Sequence, residues 1–110
     1  MGVDKKVVGD ITVCSLGGEI NINTSPELRR SLDGIIGQSA KKIVLDLDGV
    51  TYIDSSGLAT LIEVLRRIKR EGGTLHLCRL PDKVRSLFEM TKLTKLFQIY
   101  DAEETACANF

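Results

Sequence analysis

Apolar positions in the first part of the chain come in short β-branched runs. Val3–Val8 and Ile11–Leu16 read as two strands joined by a tight hairpin at Gly9-Asp10, with Gly17-Gly18 expected to end the second. From Ser25 the period changes to that of a helix. Leu28, Leu32, Ile35 and Ile36 fall on one face, Arg29 and Arg30 on the other, and Gly37 closes the segment. Ser25-Pro26-Glu27 fits its start: Ser caps, Pro sits in the first turn where no N–H is needed, and Glu meets the positive end of the helix dipole. Ile43–Leu47 is apolar on both sides of its alternation apart from Asp46, the pattern of a central strand covered on both faces.

A second helix is predicted from about Ser55, with Leu58, Leu61, Ile62, Leu65 and Ile68 as its stripe and Arg66, Arg67, Lys69 and Arg70 on the flanks and outer face. Glu63 and Arg67 form an i,i+4 pair on it, and Gly72-Gly73 stops it. Thr74–Cys78 is a strand, and Pro81 opens a third helix with Val84, Leu87 and Phe88 inward. Leu93 and Leu96 are expected to extend that cluster through an irregular turn, before a last strand Phe97–Tyr100 and a weak terminal helix Asp101–Ala108. The order β-β-α-β-α-β-α-β-α predicts an α/β fold with a mixed, mainly parallel sheet, an N-terminal hairpin and right-handed crossovers. No repeat or linker interrupts it, so residues 1–110 read as one domain.

Composition narrows the function classes. Of 110 residues, 43% are hydrophobic and 27% charged, which suits a folded core and not a disordered chain. Fifteen basic residues balance fifteen acidic ones and there is no Trp, a poor basis for sequence-independent nucleic-acid binding. No apolar run approaches the roughly 20 residues of a membrane span, and the N-terminus lacks the apolar block of a signal peptide, so a cytoplasmic location is expected. Cys14, Cys78 and Cys107 are too widely spaced for a metal or disulfide framework; the first two read as small buried hydrophobes.

Enzyme motifs are missing. There is no phosphate loop, no dinucleotide fingerprint, and Asp54-Ser55-Ser56-Gly57 is not a nucleophile elbow. The one histidine, His76, reads as lying on an outer or semi-buried strand face, with no carboxylate to orient it toward a serine. Asp46, Asp48 and Asp54 lack the ligand density of a calcium loop, and turn or capping roles account for Asp48 and Asp54. What remains is the pair Ser55-Ser56 at a helix start, where unpaired N–H groups and the dipole favour an anion. Ser55 is read as the N-cap or the residue beside it, with Asp54 able to cap in its place.

The stretch Ile43–Leu58, its following helix and Gly72-Gly73 resemble the signature of STAS domains, and within them the small bacterial anti-sigma-factor antagonists. Gly18-Glu19-Ile20 and Val84–Met90 with Leu93 and Phe97 extend the resemblance over nearly the whole chain. It implies a binding protein without cofactor or enzymatic activity. The unphosphorylated form would bind an anti-sigma factor with serine kinase activity and free a sigma factor. Phosphorylation of the serine before the glycine, Ser56, would end the complex, and a PP2C-type phosphatase would restore it. Asn21, Thr24, Asp54, Ser55, Gly57 and Leu58 would frame that serine for the partner. Asn21 replaces the family's usual Asp, and Ala59 a frequent glycine. A monomer or weak dimer is expected. The alternative inside the same fold is a STAS adaptor subunit of a stress-signalling or lipid-transport ABC complex that makes no use of Ser56 phosphorylation. An enzyme or nucleotide-binding domain using the serine turn as an anion pocket is the third reading.

Overall fold

In the computed structural model, which describes residues 1–38 and 40–110, five strands form one sheet in the order β1-β2-β3-β4-β5. β1 (Gly2–Val8) pairs antiparallel with β2 (Ile11–Ile20); β3 (Lys42–Ile53), β4 (Thr74–Cys78) and β5 (Gln98–Tyr100) continue in parallel. The intervening helices are α1 (Ser25–Gly37), α2 (Ser55–Arg70) and α3 (Asp82–Met90), followed by a 3-10 turn at Leu93–Lys95; α4 (Glu103–Ala108) comes last. This is the element order and sheet class that the periodicity predicts.

The largest departure concerns strand length. β2 does not end at Gly17-Gly18, and β3 does not turn at Asp48-Gly49; the two strands run on together to Ile20 and Ile53. Their register shifts between Ser15 and Gly17 and again between Gly18 and Glu19. The glycines permit this close, irregular pairing. A Cβ at Gly49 would stand 2.9 Å from the Leu16 carbonyl oxygen, and Gly18 adopts φ +86°, where side chains are strained. Glycines that look like stop signals in sequence are here bulge residues inside a strand pair. Their consequence is positional, because the extended ends carry the α1 and α2 starts side by side.

Apolar side chains fill both faces of the sheet unequally. The larger core joins Leu16, Ile20, Leu45 and Leu77 to Leu28 and Leu32 of α1, Leu61 and Ile68 of α2, and Phe88 of α3. On the opposite face Ile11, Val13, Val44 and Cys78 form a smaller cluster around Ala106 of α4. His76 belongs to that second face. It is 1% exposed, neither outer nor half-buried as its sequence context predicts. Its Nδ1–H donates to the Ala106 carbonyl at 2.8 Å, and its ring stacks on Phe110 at 3.9 Å between centroids. A terminal helix without a sequence signal of its own strength covers it.

Other expectations are corrected locally. Leu96 is exposed, and Phe97 takes its place in the core against Phe88. Glu63 and Arg67 do not pair along α2. Each reaches α1: Glu63 pairs with Arg29 and Arg67 with Asp33. Arg29 is therefore half-buried between helices and not on a free outer face.

Candidate functional site

Asp54 begins the site. It is the N-cap of α2 in extended conformation, and its Oδ1 accepts the Gly57 N–H at 3.0 Å. Ser55 is the first helical residue instead of the cap. The reason is geometric. Asp54 N–H donates to the Ile20 carbonyl at the end of β2, which holds Asp54 extended, and its Oδ1 then reaches the third residue of the helix. The second oxygen, Oδ2, accepts the Ile22 N–H at 3.3 Å. One carboxylate thus ties the β2–α1 loop to the start of α2, which no reading of local spacing predicts.

Gly57 makes the helix start fit. A Cβ there would lie 2.6 Å from Ile53 Cγ1, 2.8 Å from Ile20 Cγ2 and 2.9 Å from the Ile20 carbonyl oxygen. Leu58 is buried one residue on. The first turn of α2 is pressed on the ends of β2 and β3, and the two serines before Gly57 are held by it.

The α1 start differs: its N-cap residue is not Ser25, and no side chain caps its first turn. Thr24 is the N-cap residue. Its hydroxyl donates to the Glu19 carbonyl at 2.9 Å and accepts the Asn21 N–H at 2.9 Å. Asn21 Oδ1 in turn accepts the N–H groups of Asn23 at 2.9 Å and Thr24 at 3.1 Å. An aspartate at 21 would offer the same acceptor, so Asn preserves the turn and removes one negative charge. Ser25 is 5% exposed, and its Oγ has no hydrogen-bond partner among the described residues.

The frame residues Asn21, Thr24, Asp54, Ser55, Ser56, Gly57 and Leu58 are accordingly brought together at one end of the sheet. The two serines part company there. Ser55 is exposed and borders an apolar groove of about 580 Å³ between the end of β3, the α2 start and α3, lined by Tyr52, Ile53, Leu58, Leu87 and Met90. Ser56 is half-buried and borders a separate cavity of about 320 Å³ shared with Ile22, Ser25, Arg29 and Thr60. Ile22, between β2 and α1, is 70% exposed beside Asp54 and Ser56. Sequence reasoning missed Ile22, Ser25, Arg29, Tyr52 and Met90 as site residues; the long β2–β3 pairing brings Ile22, Ser25 and Arg29 to Ser56, and α3 brings Met90 to the groove beside Ser55.

The remaining candidate chemistry resolves into structure. Asp46, 2% exposed, is held by Arg79, whose Nε–H donates to both carboxylate oxygens at 3.2 and 3.0 Å. Arg79 also pairs with Asp48, and these carboxylates, Asp46 foremost, raise its affinity for its proton. Among the described residues no group of three or more His, Cys, Asp or Glu is arranged to hold a metal ion. Cys14 and Cys78 are fully buried, and desolvation pushes their thiols up to about 11 and about 12. Among the described residues, no helix is long and apolar enough to cross a membrane.

Residues 2–106 match the STAS domain. The chain belongs to the STAS family. Among curated relatives, the STAS domain is 32% identical over 97 residues to the anti-sigma F factor antagonist of Paenibacillus polymyxa, covering 87% of this chain and 83% of that one. A crystal structure of a Thermotoga maritima protein described as an anti-sigma factor antagonist superposes with a TM-score of 0.90 at 27% identity, over 96% of this chain and 92% of the other. The Bacillus cell fate determinant SpoIIAA in its phosphorylated form shares the fold, with a TM-score of 0.75 at 23% identity and 97% of each chain covered. The first two of these names are those of anti-sigma factor antagonists.

Proposed function

We propose that this STAS domain is an anti-sigma-factor antagonist whose partner surface is centred on the α2 start and is switched by phosphorylation of Ser56. The observation that carries the reading is the geometry of Ser56. It is the second residue of α2, half-buried, on a turn clamped by Asp54 and Gly57, with exposed Ile22 beside it. Such a hydroxyl can be reached by a kinase while its backbone stays fixed. The names of its relatives favour an anti-sigma factor as the bound protein.

The chemistry is external to the chain. A partner kinase would transfer the γ-phosphoryl group of ATP to Ser56 Oγ, with loss of the hydroxyl proton and release of ADP. A PP2C-type phosphatase would hydrolyse the ester, returning the hydroxyl and inorganic phosphate. The added charge, about −1.5 to −2, sits at the positive end of α2 and so leaves the fold intact. At the interface it introduces bulk and repels carboxylates of the partner.

The test is a pull-down from a lysate of the source organism with wild type and with Ser56→Asp, followed by incubation of the captured partner with ATP. The expected result is an anti-sigma factor retained by wild type alone, and a mass gain of one phosphate that Ser56→Ala abolishes. A Ser56→Ala protein that still gains the phosphate overturns the site. Equal capture of a transporter ATPase by wild type and Ser56→Asp would overturn the switch in favour of an adaptor role.

A further inference from the structure

Ser25 carries a hydroxyl that is buried and unpaired among the described residues, an arrangement native proteins rarely leave without a partner. It borders the same cavity of about 320 Å³ as Ser56. The other hydroxyl on that cavity, Thr60, is already used, since it donates to the Ser56 carbonyl at 3.0 Å. Arg29 is the only cation that lines it among the described residues. Its Nε–H and one Nη2–H point at Glu63 Oε2, at 3.1 and 3.0 Å, which leaves the remaining donors of a five-donor guanidinium uncommitted. The first turns of both α1 and α2 border the cavity, so the positive ends of two helix dipoles meet at it.

We propose that this cavity is an intramolecular phosphate receptor: once Ser56 is phosphorylated, Arg29 and the Ser25 hydroxyl bind the phosphoryl oxygens. The inference rests on the reading of Ser56 as the modified residue and adds the groups that receive the modification. Nearby carboxylates do not oppose it outright. Asp54 is committed to the Gly57 and Ile22 N–H groups, and Glu63 occupies only one edge of Arg29. The consequence is regulatory. A phosphate drawn toward α1 makes the off state a defined conformation of the α1–α2 corner, in addition to a charge on its surface. Arg29 would then be a positioning residue for the off state and dispensable for the unmodified protein's fold.

The test places phosphoserine at position 56 during translation, so that its outcome does not depend on any kinase. Phosphorus NMR then follows the second ionisation of the phosphate in the folded protein and in the urea-unfolded chain. The expected result is a folded value lower by about half a unit or more, roughly a threefold loss of proton affinity, because a cation within reach favours the dianion. Arg29→Gln and Ser25→Ala should each return part of that shift, Arg29→Lys should keep it, and Glu63→Gln should enlarge it by freeing Arg29. A titration that Arg29→Gln leaves unchanged, in a protein whose amide spectrum stays native, overturns the receptor. That result would leave the phosphorylation reading to be decided separately by the mass measurement on kinase-treated wild type and Ser56→Ala.

Discussion

At the scale of single residues, Gly57 shows how a helix position can be closed to the best helix former. Alanine is favoured over glycine by about 1 kcal/mol in a helix interior. Here its Cβ would meet the Ile20 carbonyl oxygen, a backbone atom that cannot move aside without breaking its bond from Asp54 N–H. Gly57→Ala should therefore destabilise the protein by about 1–3 kcal/mol, as overpacking does, and urea unfolding will measure it. The cysteines make a second residue-scale prediction. Because only thiolates alkylate readily, the raised and buried Cys14 and Cys78 should resist iodoacetamide in the native protein at pH 8. Cys107, less buried, should take the label alone, and all three should take it in urea, as a mass spectrum will report.

At the scale of elements, α4 is too short to be stable by itself, and isolated helices below about 12 residues are marginal. It is held by what it covers. The His76 bond to Ala106, the stack of His76 on Phe110 and the buried Ala106 side chain fix it over β4. Lys6 of β1 adds an ion pair to Glu103. Removing residues 102–110 should expose His76 and Cys78 while leaving the larger core, on the other face, in place. The expected readout is selective: Cys78 becomes alkylatable under native conditions and Cys14 does not. Equal labelling of both would mean that α4 supports the whole sheet. The long β2–β3 pair is the other element-scale result, since its bulges allow ten-residue and twelve-residue strands to stay paired past two glycine pauses.

At the scale of the whole molecule, the serine site and a buried ion pair share the C-terminal side of the parallel strands. That side gathers the α1 and α2 starts into the serine site. Toward the middle of the sheet Arg79, at φ +54°, spans β3 and β5 by donating its N–H to Tyr100 and its guanidinium to Asp46 and Asp48. Asp46 is buried, so loss of its cation leaves a charge with little solvent to hold it. Arg79→Ala should cost on the order of 1–3 kcal/mol, less than a fully buried pair because Arg79 itself is 46% exposed. Thermal unfolding at neutral pH will measure it.

How much of this was legible in the sequence follows from which interactions are local. Periodicity set the order and type of the strands and of α1, α2 and α3, because amphipathic spacing depends only on neighbours along the chain. The Asp-Ser-Ser-Gly-Leu turn pointed to the family and to Ser56, because a helix start is written in consecutive residues. Strand ends, caps and partners were decided by tertiary structure. Gly17-Gly18 and Asp48-Gly49 look like stops until β2 and β3 pair across them. Asp54 takes the cap from Ser55 because Ile20 and Ile22, more than thirty residues earlier, hold it in place. Ser25 and Arg29 join Ser56 in one cavity for the same reason, and no spacing along the chain encodes that distance. The sequence by itself determined a STAS fold with a serine at a helix start; only the tertiary structure set that serine in one cavity with Ser25 and Arg29, because the two helix starts meet only once the strands that carry them are paired.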